Sequence, residues 1–252
     1  MSNLAQLAYR LKDNSNTLHD SEEFFKFIVS NLKETHSQSF QDLWVAYESY
    51  RNDPQSCDTR FYVEFGAHDG QDGSNTLFLD NKYLWDGLLI EPNPHTYKKL
   101  NAHSLEHRLG GYEIENKAIY DVTGELMPFT ATLDDHQFST FSENLSQVPR
   151  ELSQNIQHLF VHTATLYDIL DIWDAPKIVD YVSMDTEGSE YRILKKFLEE
   201  NKSTYKVGMW TIEHNYKPER ESIYQLMIEN GYIRKFEEYS RWDDFYILGA
   251  KA

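Results

Sequence analysis

The chain has 252 residues, 40% of them hydrophobic and 14% aromatic, with a formal charge of −17. This composition is ample for a packed core and excludes global disorder, and so acidic a balance argues against nucleic-acid or anionic-membrane binding, both of which need a cationic face. A lone cysteine, Cys57, leaves no internal disulfide and no cysteine metal cluster. With no secretory leader pattern and no apolar run of membrane-spanning length, the expectation is a soluble cytoplasmic protein.

Residues 1–52 lack strand-like runs. Phe24, Phe25, Phe27, Ile28 and Leu32 recur at helical spacing behind Asp20-Ser21, a helix-starting pair. Leu43, Trp44 and Tyr47 mark a second helix ending near Asn52-Asp53-Pro54. The region reads as an N-terminal helical extension packed on a main domain at 53–252, and its arms offer a route to a homodimer. From residue 61 strands and helices alternate. Strands are predicted at 61–66, 87–91, 112–118, 179–185, 207–213, 232–236 and 245–248. Helices are predicted at 75–82, 94–103, 165–173, 189–201 and 219–230. This alternation predicts an α/β fold with a seven-stranded, mostly parallel sheet. The last two strands read as a C-terminal antiparallel hairpin. Residues 125–162 break the rhythm and show no clear period; a long loop in a compact domain suggests a lid, with His136 covering a substrate.

Open α/β sheets bind ligands at the carboxyl ends of their strands. The first strand ends in Glu64-Phe65-Gly66-Ala67-His68-Asp69-Gly70, a glycine turn that lets backbone approach a ligand. The second ends in Glu91-Pro92-Asn93, and Glu91 is placed to accept both hydroxyls of a ribose. The turn lacks the G-x-G-x-x-G of a dinucleotide fold, so S-adenosylmethionine, with an amino-acid tail and no pyrophosphate, fits better. Asp69 is a candidate for the ammonium of that tail. Ser74-Asn75-Thr76 opens a helix whose positive end suits its carboxylate; a plain N-cap role for Ser74 is an equal alternative. Asn116, Lys117 and Ala118 close the third strand and complete the candidate cofactor wall.

Asp185-Thr186-Glu187 and Glu213-His214-Asn215 end the next two strands. Asp185 faces the reactive end of the cofactor or a metal; Glu187 and Ser189 either join it or cap the following helix. His214 is the best general-base candidate among the histidines, because imidazole titrates near neutrality. Asp185, Glu213 and His214 or Asn215 could alternatively share magnesium or manganese, cations that suit oxygen-rich ligation. The catalytic set is therefore His214, Asp185 and Glu213.

Taken together, 62–70, Ser74-Asn75-Thr76, Ile90-Glu91-Pro92-Asn93-Pro94, 180–190, Ile212-Glu213-His214-Asn215 and Asp243-Asp244-Phe245-Tyr246 resemble the FkbM family of methyltransferases. Ser39-Phe40-Gln41-Asp42 and Thr163-Ala164-Thr165-Leu166 fit the flanking patterns. The resemblance covers roughly residues 38–248. It implies a Rossmann-like, S-adenosylmethionine-dependent fold that methylates a hydroxyl on a sugar, glycan or natural product. By position it places Glu64, Gly66, Asp69, Asn75, Glu91 and Asp185 around the cofactor; many members have Asp where this chain has Glu64. The rival readings are a non-catalytic nucleoside-binding module and an NAD-dependent sugar oxidoreductase. Intact strand-end carboxylates argue against the first, and the glycine spacing with the terminal hairpin argues against the second.

Overall fold

The computed structural model describes residues 18–53, 56, 58–132, 139–147 and 156–249; Cys57 and His136 lie outside them. Two helices come first, α1 (Leu18–Asn31) and α2 (Gln41–Tyr50). Then follow β1 (Phe61–Phe65), α3 (Leu77–Tyr83), β2 (Asp86–Ile90), α4 (Pro94–His107), β3 (Tyr112–Glu115), β4 (Ala118–Ile119), β5 (Leu126–Thr132), β6 (Thr140–Phe141), a 3-10 turn (Ser142–Gln147) and β7 (Ile156–Ala164). The chain continues through α5 (Leu166–Ile172), β8 (Ile178–Met184), α6 (Glu190–Asn201), β9 (Lys206–Glu213), α7 (Glu219–Glu229), β10 (Tyr232–Lys235) and β11 (Asp243–Leu248).

The main sheet has seven strands in the order β10-β11-β9-β8-β1-β2-β3. Pairings from β9 through β3 are parallel, while β11 runs antiparallel to both β9 and β10. The order reverses between β1 and β8, so the crevice at their carboxyl ends is where an open α/β sheet takes a ligand. Period-two alternation sends successive side chains to opposite faces. Val63, Phe65, Val182, Met184, Trp210 and Ile212 pack under α5, α6 and α7. Tyr62, Leu89, Tyr181, Met209 and Phe245 face the other way, against Phe24 and Ile28 of α1 and Trp44 and Tyr47 of α2. The Trp44 ring stacks on Phe245, centroids 5.0 Å apart. The two N-terminal helices are thus a layer of the core.

Helix α1 begins two residues before the Asp20-Ser21 pair expected to start it. Asp20 instead ties three elements together, accepting hydrogen bonds from Tyr47 and Arg51 of the α2 region and from Lys235 of β10. The strand expected at 112–118 breaks at Asn116-Lys117, so that β3 edges the main sheet while β4 enters a second one. Residues 125–162, expected as a lid-like loop, carry most of that second sheet, β4-β7-β5-β6. It holds its own small core of Ala118, Tyr120, Phe129, Phe141 and Val161.

Candidate active site

A cavity of about 570 Å³ opens over the carboxyl ends of β1, β2, β8 and β9. Gly66 sits at its floor with φ +76°, and a Cβ there would stand 1.8 Å from the carbonyl oxygen of Asp185. Only glycine lets the β1 and β8 ends approach this closely. Ala67 and Pro92 line the cavity beside it. Glu91 is buried there, its carboxylate accepting the backbone N–H of His68 at 3.0 Å and of Asn93 at 2.8 Å. Burial pushes its pKa up to about 7 despite those hydrogen bonds. Each oxygen has made one hydrogen bond, so acceptor capacity remains for ribose hydroxyls.

Several expected cofactor residues are placed differently. The Glu64 carboxylate, at the cavity edge, is taken up by Ser74 Oγ at 3.1 Å, the Asn75 N–H at 2.7 Å and Thr76 Oγ, with the Arg108 guanidinium 3.8 Å away. Arg108 has a fully buried side chain, also bonds Tyr62, Ser74, Thr76 and the Gly70 carbonyl, and carries no local sequence signal of this role. Glu64 therefore braces the turn from below. Ser74 Oγ accepts the N–H groups of Thr76 and Leu77, the capping alternative. Asp69 does not line the cavity: it accepts the N–H groups of Gln71 and Asp72 and stands beside His68 and His103. Burial opposes its charge, but these partners hold its pKa well below the usual carboxylate range. Asn116 also turns away, donating to the Glu91 and Pro92 carbonyls and fixing that loop, whereas Lys117 and Ala118 do line the wall.

Asn75 is buried, bonds Ser183 Oγ through its Nδ2, and leaves its Oδ1 without a hydrogen-bond partner among the described residues. A buried amide oxygen on a cavity wall calls for a donor, a need that an ammonium or hydroxyl group of a ligand would meet.

The other end of the cavity is acidic. Asp185, Glu187 and Glu213 bring one carboxylate oxygen each within 4.8 Å of the others. Asp243 stands directly across from Glu213 in the β9–β11 register. Burial first, then repulsion from Glu190, raises the Asp185 pKa to about 7. Burial and repulsion from Asp185 push Glu187, Glu213 and Asp243 well above their ordinary range. The loop is fixed by Glu190, whose Oε1 accepts from the Thr186 N–H, the Thr186 hydroxyl and the Gly188 N–H. Neither Glu187 nor Ser189 caps the helix; Ser189 instead accepts from Asn144 near the second sheet. Asn215 donates to both Glu187 and Glu213. Glu187 and Asn215 both have positive φ, 56° and 42°, the kind of backbone strain that collects at functional sites.

His214 is the clear correction. Glu213 points into the cavity, so strand alternation sends His214 to the opposite face, where it is 3% exposed and does not line the cavity. Its Nδ1 accepts the Tyr216 N–H at 3.0 Å, and its Nε2 lies 3.2 Å from Ser240 Oγ and 3.7 Å from Asp244. Burial, with Arg220 and Arg234 nearby, lowers its pKa to about 4. It is neither a reachable base nor a member of the carboxylate triad; Glu187 takes the place assigned to it in the metal set. Gln41 and Asp243, not singled out as site residues from the sequence, do line the cavity.

A doubly wound sheet closed by an antiparallel hairpin, with a glycine turn after β1 and a carboxylate after β2, defines the Rossmann-like methyltransferase class. Within it, the chain belongs to the FkbM family of S-adenosylmethionine-dependent methyltransferases: the Methyltransferase FkbM domain matches residues 64–238. Curated protein sequences contain no match. Among solved structures, human methyltransferase 10 domain containing protein superposes with a TM-score of 0.50 at 10% identity, covering 94% of this chain and 100% of that one. The N-terminal domain of human METTL16 gives 0.48 at 12%, covering 82% and 68%. Methyltransferase FkbM from Methylobacillus flagellatus KT gives 0.45 at 13%, covering 98% of this chain and 59% of that one. At such identities the likeness is one of fold.

Proposed function

We propose that this chain is an O-methyltransferase acting on a hydroxyl of a sugar, glycan or natural product. The observation that carries the reading is the division of the cavity lining. Ile90, Pro92, Ala118, Ile119, Phe129 and Phe141 form an apolar patch that suits a purine, next to Glu91 for the ribose and Asn75 for the amino-acid tail. Asp185, Glu187 and Glu213 form an acidic patch that suits a sulfonium and a hydroxyl about to lose its proton. S-adenosylmethionine, when bound, supplies an activated methyl group, so positioning by the protein accounts for much of the rate. Asp185, with a pKa near 7, is the group best matched to accept the hydroxyl proton at neutral pH, a contribution of roughly 10²–10⁴-fold.

The close approach of three carboxylates favours a metal-assisted version of the same reaction. Asp185, Glu187 and Glu213 are a hard oxygen donor set that fits magnesium or manganese. A cation held there would lower the pKa of the acceptor hydroxyl.

The test is a methyl-transfer screen with isotope-labelled S-adenosylmethionine against glycans, nucleotide sugars and lipid-linked sugars, read by mass spectrometry with and without chelator. Labelled ether products are expected. Full turnover in excess chelator removes the cation and leaves Asp185 as the base. Transfer only to nitrogen or carbon overturns the O-methyl reading.

A further inference from the structure

The cofactor residues and the carboxylate triad account for one side of the cavity. A further wall comes from residues beyond the matched segment 64–238 but within the stretch 38–248 whose patterns resemble the family. Gln41 opens α2 and Gln38 lies just before it, while Asp243 opens β11 and Trp242 lies just before that strand. Gln41 Nε2 donates to Asp243 Oδ2 at 2.9 Å, joining positions 202 residues apart. Gln41 Oε1 is itself fixed by the Ser39 N–H at 2.7 Å. Both side chains are buried. The pairing follows from the sheet: Asp243 and Phe245 point to the same face, and Trp44 stacks on Phe245, which brings the first turn of α2 over the end of β11. Arg241 lies 3.7 Å from the Trp242 ring centroid and braces the indole.

We propose that Gln41, Asp243 and Trp242 form the acceptor-selecting wall of this enzyme, and that it takes a polyol ring. This rests on the methyltransferase reading of the same cavity. The Asp243 carboxyl accepts hydroxyl hydrogens next to the methylated position, the indole of Trp242 packs on the C–H face of the ring, and Gln41 is a positioning residue that holds Asp243. Few well-placed polar groups beside an aromatic surface are what orient a small polar ligand in a pocket. The N-terminal helices thereby help decide which acceptor is used.

The test uses the full chain loaded with S-adenosylhomocysteine. Saturation-transfer NMR follows the methyl α-pyranosides of glucose, galactose, mannose and rhamnose as probes. Wild type is expected to bind at least one. Asp243→Asn and Gln41→Leu are expected to weaken that binding by about tenfold, the scale of one lost polar contact, with S-adenosylhomocysteine affinity by calorimetry unchanged. Should a buried-pair variant lose the nucleoside as well, half-buried Trp242→Ala decides, and it must lose the pyranoside alone. Equal pyranoside binding by wild type and variants, or none by wild type that still binds S-adenosylhomocysteine, overturns the inference and leaves the methyltransferase reading standing. Failure of wild type to bind S-adenosylhomocysteine overturns both.

Discussion

Glu91 and His214 are both polar residues at or just past the carboxyl end of a buried strand, yet the structure gives them opposite fates. Glu91 follows β2 into the crevice and keeps free acceptor capacity. Glu91→Ala is expected to weaken S-adenosylhomocysteine binding by about 1.5–3 kcal/mol, the value of a hydrogen bond to a charged group. Glu91→Gln should cost less, since one acceptor remains. Calorimetry checks both, and unchanged affinity in the pair would remove Glu91 from the ribose site. The intrinsic pKa of imidazole makes His214 the candidate base in the sequence, but a strand places neighbouring side chains on opposite faces, and Glu213 takes the cavity side. His214→Ala should therefore change turnover less than tenfold while costing about 0.5–1.5 kcal/mol of stability, the net value of the hydrogen bond from the part-buried Tyr216 N–H. A hundredfold loss of rate at an unchanged melting temperature would return the imidazole to the chemistry.

At the level of elements, the α/β alternation is readable because the central strands of the main sheet are short apolar runs separated by segments with helical spacing. Residues 125–162 are not. β5 contains Pro128 and β7 interleaves Gln157, His158 and His162 among its apolar residues, so neither shows a clean period of two. They are strands because they pair with each other and shelter Phe129 and Phe141, which is decided by tertiary contact. Phe141→Ala is expected to weaken S-adenosylhomocysteine binding by about 1–2 kcal/mol through lost apolar contact with the purine, and unchanged affinity would place the purine elsewhere. The junction of β1 and β8 gives a sharper case. Gly66→Ala puts a methyl into the Asp185 carbonyl at a positive φ, and should cost at least about 2 kcal/mol. A thermal melt reads it, and a native melting temperature would mean the strand ends can part freely.

Across the whole molecule, the site is a concentration of carboxyls whose charge the folded state resists. The folded pKa values of Glu91 and Asp185, about 7, lie above their ordinary 4.5 and 3.8. Their contribution to stability is thus present below the ordinary values and lost as pH rises through 7. His214 acts in the opposite sense: its pKa of about 4 lies below the ordinary 6.5, so its contribution is present above 6.5 and lost as pH falls towards 4. The ligand-free protein should therefore be most stable in mildly acidic solution, with a melting temperature that falls by several degrees between about pH 5 and pH 7. Magnesium or manganese should reverse that loss at pH 8 and do little at pH 5, as scanning calorimetry would show; no effect of either cation at pH 8 would argue against the triad as a cation site.

The order of elements is legible along the chain, and so are the glycine turn and the strand-end carboxylate between which the nucleoside is proposed to bind. The glycine turn after β1 and the carboxylate after β2 are local: each needs only a strand, a turn and the next strand in register. Tertiary structure alone decided which polar residues enter the cavity. Asp69 turns away from it, and Glu64 and Ser74 line it with their oxygens already engaged by Arg108 and the turn's own N–H groups. Gln41 and Asp243 reach the site from opposite ends of the chain, because Trp44 packs on Phe245 and so brings α2 over β11. Hydrophobic spacing can be read along a chain; a hydrogen bond between residues 202 positions apart exists only once the core between them has packed.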